Sequence, residues 1–279
     1  MPVFSAYDGT RLVHHVSGDG SPLVCLPGGP ARASAYLADL GGLAAHWRLV
    51  KPDLRGSGDS EAPQDPATYR CDRLVDDVEA LREHLGLERM DLLAHCAGAN
   101  LAVLYASRHP ERIGKLALIT PSVAAVGISV TADARLATAR LRQDEPWFPA
   151  AYAALRDIVA GRAADGQWEL IAPFLHGRWD DAARALDAAD AEQKNPEATA
   201  GYAADGAYDP EAARAALAQL SAPVLVLAGE ADLNSPPPAM AELAALFPRA
   251  ELVVQPGAGH YPWLDDPDRF VAAVAAFLR

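Results

Sequence analysis

The densest chemical signal lies in six consecutive residues, Leu93-Ala94-His95-Cys96-Ala97-Gly98. A short apolar run, Met90–Leu93, ends here, and helical spacing begins at Ala97 and runs to Arg108. Only His95 and Cys96 lie between the two. A thiol on so sharp a strand-to-helix turn, with small residues two before and two after it, has the geometry of a nucleophile elbow. The small residues are needed because the turn crowds Ala94 and Gly98 against neighbouring backbone. The turn lifts Cys96 to the carboxyl end of a sheet, where open α/β sheets bind ligands. It also sets the sulfur at a helix N-terminus, where the macrodipole favours a thiolate. The alternative for a lone cysteine is an inert core position, and the elbow context argues against it. Other reactive motifs fail. Gly56-Ser57-Gly58 lacks the third glycine of a dinucleotide fingerprint, and neither a P-loop nor an HExxH pair occurs. No cofactor and no metal are expected.

The elements that must position Cys96 can be read on either side of it. Pro2–His15, with Asp8-Gly9 at its centre, predicts a β-hairpin. Leu23–Leu26 and Trp47–Val50 predict buried strands that stop at Pro27-Gly28-Gly29-Pro30 and at Pro52-Asp53. Asp72–Leu85 places Leu74, Val75, Val78, Leu81 and Leu85 at helical spacing. Lys115–Thr120 is a further strand. The rhythm then lapses from about Ser122 to Asp209, where helical periodicity prevails and no strand is expected. It resumes with strands at Pro223–Ala228 and Glu251–Gln255 and closes with a helix over Pro267–Leu278. Alternating strands and helices imply a mostly parallel sheet built from right-handed βαβ units. The expected organisation is one α/β core, 1–121 and 210–279, interrupted by a helical insertion over 122–209.

Composition narrows the partners. The 279 residues are 51% hydrophobic and 22% charged, which excludes disordered and low-complexity classes. A formal charge of −13 without a basic patch argues against nucleic acid. No run of about 18 apolar residues suggests a membrane span. The opening residues lack a basic segment followed by a long apolar one, so no secretory signal is expected. Three cysteines at spacings that fit no zinc or CxxC pattern suit free thiols in a reducing cytoplasm. Cytoplasmic location and a monomer or homodimer are the expectations.

In combination, three motifs resemble the α/β-hydrolase family, in its proline iminopeptidase-like branch. They are the elbow at Cys96, the loop Pro27-Gly28-Gly29-Pro30 (similar to the family's HGGP) and Asp53-Leu54-Arg55-Gly56-Ser57-Gly58-Asp59-Ser60 (similar to D-x-R-G-x-G-x-S). The resemblance covers essentially the whole chain. It implies an eight-stranded, mostly parallel sheet flanked by helices, with an α-helical cap inserted after the sixth strand. The family order of nucleophile, acid and histidine then implies Asp232 and His260 as the partners of Cys96. Glu230 competes for the acid role, whereas the end of the sixth strand, Thr120-Pro121-Ser122, offers no carboxylate. His260 would act as base, Asp232 would orient it, and backbone N–H groups of Gly28, Gly29 and Ala97 would form an oxyanion hole. His95 is read as a pocket or packing residue pointing away from the nucleophile. His14, His15, His46, His84, His109 and His176 are read as structural or surface residues.

The resemblance implies a small-molecule acyl substrate, an ester, thioester or amide, whose acyl group passes from Cys96 to water (hydrolase) or to another small nucleophile (acyl transfer). The sequence departs from it in three places. Cys96 replaces the usual serine, Pro27 the histidine of HGGPG, and Ala31 its last glycine. Three readings of Cys96 stay open: a natural cysteine enzyme, a serine enzyme exchanged to cysteine to trap an acyl-enzyme, and a non-catalytic ligand-binding relative. A proline iminopeptidase-like aminopeptidase would need carboxylates to hold a free amine, and Asp144, Glu145, Glu169 and Asp180 of the insertion are candidates. The insertion's aromatic residues (Trp147, Phe148, Tyr152, Trp168, Phe174, Trp179, Tyr202) are expected to divide between its own core and the pocket wall.

Overall fold

A computed structural model describes all 279 residues. Eight strands form one sheet in the order β1-β2-β4-β3-β5-β6-β7-β8: β1 Val3–Ser5, β2 Arg11–Ser17, β3 Pro22–Leu26, β4 Arg48–Pro52, β5 Met90–His95, β6 Ile113–Ile119, β7 Val224–Gly229 and β8 Ala250–Gln255. β1 and β2 pair as the expected hairpin, and β2 runs antiparallel to β4. Every other pairing is parallel. The central strands are mostly apolar because both faces of the sheet are covered; Asp91 and Lys115 lie near the strand starts and His95 at the end of β5. On one face Val24, Leu26, Leu92, Ala94, Leu116, Leu118 and Val226 enter the larger core with helix α1 (Cys71–His84) and helix α2 (Gly98–Arg108). On the other, Leu23, Cys25, Leu93, Ala117, Ile119 and Leu225 meet Phe270, Val274 and Leu278 of the helix Pro267–Leu278. Each such aliphatic side chain contributes about 1.5–3 kcal/mol when fully buried.

The expected α/β-hydrolase fold is therefore present, with strand limits shifted by a residue or two. β5 runs on to His95 because His95 pairs with Ile119 of β6. Between β6 and β7 the chain forms helices, among them Ala132–Ala139, Phe148–Val159, Asp181–Ala188, Pro196–Tyr202 and Pro210–Leu217. Ala139, Ala151, Leu155 and Phe174 of this stretch make a small core of their own with Leu233. Tyr202 and Leu217 pack instead into the main core. All three cysteines are free thiols, and Cys25 and Cys71 are buried. No helix is long and apolar enough to cross a membrane.

The segment Asp53–Ser60 is scaffold. Asp53 Oδ1 accepts from Ser34 N–H at 2.7 Å and Oδ2 from Asp59 N–H at 3.0 Å, which ties the loop after β3 to the loop after β4. The buried Arg55 guanidinium pairs with Asp77 of α1 and Asp8 of the hairpin.

His14 on β2 is buried with no hydrogen bond to either ring nitrogen, against Phe4 and His84. Burial, then the nearby His84, His15 and N-terminal charges, pull its pKa down to about 4. An unfolded histidine titrates near 6.5. The stability this neutral ring contributes is thus present above about pH 6.5 and is lost as pH falls toward 4, by up to about 3 kcal/mol. Urea midpoints measured from pH 7 to pH 4.5 should fall less steeply for His14→Leu than for the wild type; equal slopes would refute this.

Candidate active site

Cys96 adopts φ = +52°, a left-handed conformation that a non-glycine residue holds only when its surroundings enforce it. The enforcing bonds are local. Cys96 N–H donates to Ile119 O of β6 at 3.2 Å, and its carbonyl accepts from Ala99 and Ser122 N–H at 3.1 and 2.9 Å. The Tyr202 hydroxyl donates to the Ala97 carbonyl at 2.8 Å, bracing the start of α2 from the helical segment. Two glycines permit the close approach. A Cβ on Gly98 would lie 2.5 Å from Pro27 O, and one on Gly28 would lie 2.6 Å from Cys96 Cβ.

Asp232 and His260 come together beside Cys96. His260 Nδ1 donates to Asp232 Oδ2 at 2.8 Å, and Asp232 Oδ1 accepts from Asn234 N–H at 2.8 Å. Both side chains are buried. His260 Nε2 makes no hydrogen bond of good geometry and lies beside the Cys96 sulfur. Burial disfavours the charged imidazole, but the Asp232 carboxylate and the Cys96 sulfur outweigh it and hold the His260 pKa well above the ordinary value. Burial likewise would raise the Cys96 thiol. The charge and hydrogen bond of His260, then the N–H groups of Gly29 and Ala97, outweigh it and hold the thiol below its ordinary value. The pair therefore favours thiolate and imidazolium. Glu230 is exposed and accepts from Gly257 N–H at 2.8 Å, away from His260.

The loop after β3 corrects one expectation. Gly28 does not present its N–H to the sulfur, because that N–H donates to the Tyr36 hydroxyl at 2.7 Å. Gly29 and Ala97 are the two donors that reach Cys96. Ala31, where the family motif has glycine, sits at φ = +55°, a conformation that costs a side-chain-bearing residue about 1–2 kcal/mol.

His95 does more than pack. Its Nε2 lies 2.9 Å from the His260 carbonyl and its Nδ1 2.7 Å from the Tyr36 hydroxyl. A carbonyl only accepts, so Nε2 carries the proton and Nδ1 accepts from Tyr36. Burial, helped by the charge of His260, keeps the ring neutral, with its pKa far below the ordinary value. Thr120 Oγ1 donates to the same His260 carbonyl at 2.9 Å, and His260 N–H donates to Leu175 O at 2.7 Å. Tyr36 and Thr120 carry no local motif. Their one advance signal was the presence of hydrogen-bonding side chains in otherwise apolar surroundings.

Two cavities open on Cys96 and His260. The larger, of about 330 Å3, is lined by apolar residues (Pro30, Val123, Ala124, Ile128, Val130), by Arg135 and by the neutral polar Ser122, Asn234 and Ser235. The smaller, of about 120 Å3, is polar, with Arg32, Tyr36, Asp187, Asp190, Lys194 and Tyr261 in its wall. Asp144, Glu145, Glu169 and Asp180 line neither. Glu145 pairs with Arg142, and Asp180 caps the helix that follows it through Ala183 N–H. None of the insertion's aromatic residues lines either cavity. Trp147, Phe148, Tyr152 and Phe174 pack on one another, Trp179 packs on His176, and Trp168 is exposed.

Fold and site geometry together are those of an α/β hydrolase. The chain belongs to the α/β hydrolase fold family, whose model matches residues 21–267. It is 30% identical to a 2-hydroxymuconate semialdehyde hydrolase of Pseudomonas sp. (strain CF600), an alignment covering 97% of this chain and 91% of that protein. It is 38% identical over 117 residues to the proline iminopeptidase of Lactobacillus helveticus, which is 39% of this chain and 40% of that enzyme. The match thus spans about two fifths of that relative. The solved structure of a proline iminopeptidase from Mycobacterium smegmatis superimposes with a TM-score of 0.76 at 25% identity, over 99% of this chain and 97% of that one.

Two outcomes follow from this geometry. Alkylation of Cys96 by iodoacetamide, read by intact mass across pH 5–10, should show a midpoint below that of a free thiol. The midpoint should move up in His260→Gln; an unmoved midpoint would contradict the ion pair. Tyr36→Phe should leave Gly28 N–H without an acceptor and His95 Nδ1 without a donor, at about 1–3 kcal/mol for such buried groups. Thermal denaturation should register that loss, and no change would sink the relay.

Proposed function

We propose that this protein is a hydrolase of carboxylic esters, thioesters or amides that works through a covalent acyl-enzyme on Cys96, with His260 as base and Asp232 as the orienting acid. The observation that carries this reading is the free His260 Nε2 beside the Cys96 sulfur, with Nδ1 held by Asp232. The thiolate attacks the substrate carbonyl carbon, and the oxyanion that forms is held by Gly29 and Ala97 N–H, donors worth roughly 3 kcal/mol each in comparable sites. Collapse breaks the bond to the alcohol, thiol or amine, which takes its proton from the His260 imidazolium. His260, again neutral, then removes a proton from water. The resulting hydroxide attacks the thioester, releasing the acid and regenerating the thiolate and imidazolium. The helical stretch between β6 and β7 acts as the cap over this centre.

A second reading, an aminopeptidase resembling proline iminopeptidase, draws on the similarity over 117 residues to such an enzyme and on Asp187, a carboxylate without an ion pair in the smaller cavity. Asp187→Asn would then abolish cleavage of proline aryl amides while sparing simple aryl esters.

The deciding experiment is intact-protein mass with parallel product release on a panel of activated acyl esters and thioesters. A transient acyl adduct on Cys96 with turnover, both lost in Cys96→Ala, is expected. A stable adduct with turnover only in Cys96→Ser would overturn the cysteine mechanism in favour of serine chemistry. Ligand binding without any adduct or turnover would favour a binding protein.

A further inference from the structure

Arginines in this acidic protein follow a consistent pattern. Each either faces a carboxylate within 4 Å or projects into solvent, with one exception, Arg135. Arg135 lies on the helix Ala132–Ala139, is partly buried, and forms part of the wall of the 330 Å3 cavity together with Cys96 and His260. Its one hydrogen bond to protein runs from Nη1 to Asn234 Oδ1 at 3.1 Å. Asn234 in turn is set by its own N–H bond to Asp232. The guanidinium is therefore aimed by the loop that carries Asp232, while its remaining N–H groups have no protein acceptor. Burial pulls its pKa below the ordinary value, against the support of the Asp232 carboxylate. A guanidinium stays charged even so. The free N–H groups of Arg135 open onto the cavity that holds Cys96 and His260, so an anionic group entering that cavity would meet an unengaged guanidinium.

We infer that Arg135 is a specificity-determining subsite for a carboxylate carried by the substrate, so that the favoured substrates are half-esters or half-thioesters of short dicarboxylic acids or similar acyl compounds bearing one carboxylate. The inference rests on Cys96 and His260 being the reaction centre. A monoanion fits better than a phosphate, because one guanidinium neutralises one charge and the wall offers no second cation apart from the reaction centre, only neutral polar groups (Ser122, Asn234, Ser235) among apolar ones. The planar fork of arginine matches a carboxylate. The cavity's modest volume limits the substrate to a short chain.

The test has two arms. In the first, mono-p-nitrophenyl glutarate is compared with the uncharged p-nitrophenyl hexanoate. The wild type should favour the glutarate ester in kcat/KM by at least tenfold, and Arg135→Gln should abolish that preference while changing hexanoate turnover by less than about threefold. In the second, glutarate itself is titrated into Cys96→Ala by calorimetry, a readout that needs no turnover. Binding that is lost in Cys96→Ala/Arg135→Gln supports the subsite even if no ester is ever cleaved, in which case the hydrolase reading alone fails. No preference for the charged ester together with no glutarate binding overturns the subsite whether or not Cys96 turns over. Thermal denaturation separates a structural role. Arg135→Gln should keep the wild-type Tm, so that lost glutarate binding reports the missing guanidinium; a lost preference that comes only with a large drop in Tm would assign the residue to the scaffold and overturn the subsite.

Discussion

His95 has to be neutral, because its two neighbours demand opposite roles of its two nitrogens. The His260 carbonyl takes a proton and the Tyr36 hydroxyl gives one. Protonating the ring would set two donors against each other at Nδ1, unless Tyr36 turned its own proton toward Gly28 N–H, which is already a donor. The order of hydrogen bonds therefore has one sense, from Gly28 through Tyr36 and His95 to His260. Since His95 adjoins Cys96 in the chain, this single ring registers the glycine loop, the elbow and the histidine loop against one another. The neutrality is enforced by burial among Tyr36, Tyr261 and Trp263, and it leaves His260 as the imidazole able to carry charge beside the sulfur. Two histidines 4.9 Å apart thus differ in protonation because their surroundings differ. One faces a carboxylate and a thiol; the other faces a carbonyl and a phenol.

The elbow rests on a different kind of support. Its left-handed backbone costs about 1–2 kcal/mol, a small sum beside the burial of the strands that hold it. β5 is paired on both sides, by β3 and β6, and its side chains fill both cores. The turn can be strained because the strand beneath it cannot slip: a shift by one residue would exchange the residues committed to the two faces. The same registry explains the glycines. Leu26 pairs with Ala94, so the loop after β3 must pass directly over the elbow, and the missing Cβ atoms at Gly28 and Gly98 make the room.

What was legible in the sequence follows from how local each feature is. The elbow, the strand endings and the α/β alternation depend on a few neighbouring residues, and these were read to within a residue or two. Asp232 and His260 were legible only through the order of motifs that the family resemblance implied. The relay through Tyr36, His95 and Thr120 joins positions up to 165 residues apart, and no spacing rule reports such a contact. The expectation for Gly28 failed for the same reason: a glycine loop advertises free N–H groups, but which of them is free depends on a tyrosine eight residues on. The acids of the helical insertion show the limit most clearly. Periodicity identifies a polar face, yet whether that face meets solvent or the cavity is set by how the helices pack. Asp187 and Asp190 meet the cavity, whereas Asp180, one helix length away, is spent as a cap.

The two cavities give the reaction centre a direction. Both share Cys96, His260 and Asn234, and they differ in what surrounds those residues. In the smaller one the formal charges balance: Arg32 and Lys194 both pair with Asp190, and Asp187 supplies the second negative charge near them. In the larger one Arg135 is the only formal charge apart from the reaction centre itself, and the rest of the wall mixes apolar side chains with the neutral Ser122, Asn234 and Ser235. A charge that the protein has already paired adds little to ligand choice, because a ligand would have to displace its partner. Arg135, which faces no carboxylate at salt-bridge distance, is where binding energy can discriminate. A substrate with one carboxylate, turned end for end, would carry that group away from Arg135, so under the proposed subsite the contact that selects the substrate would also set which of its bonds lies over the thiolate.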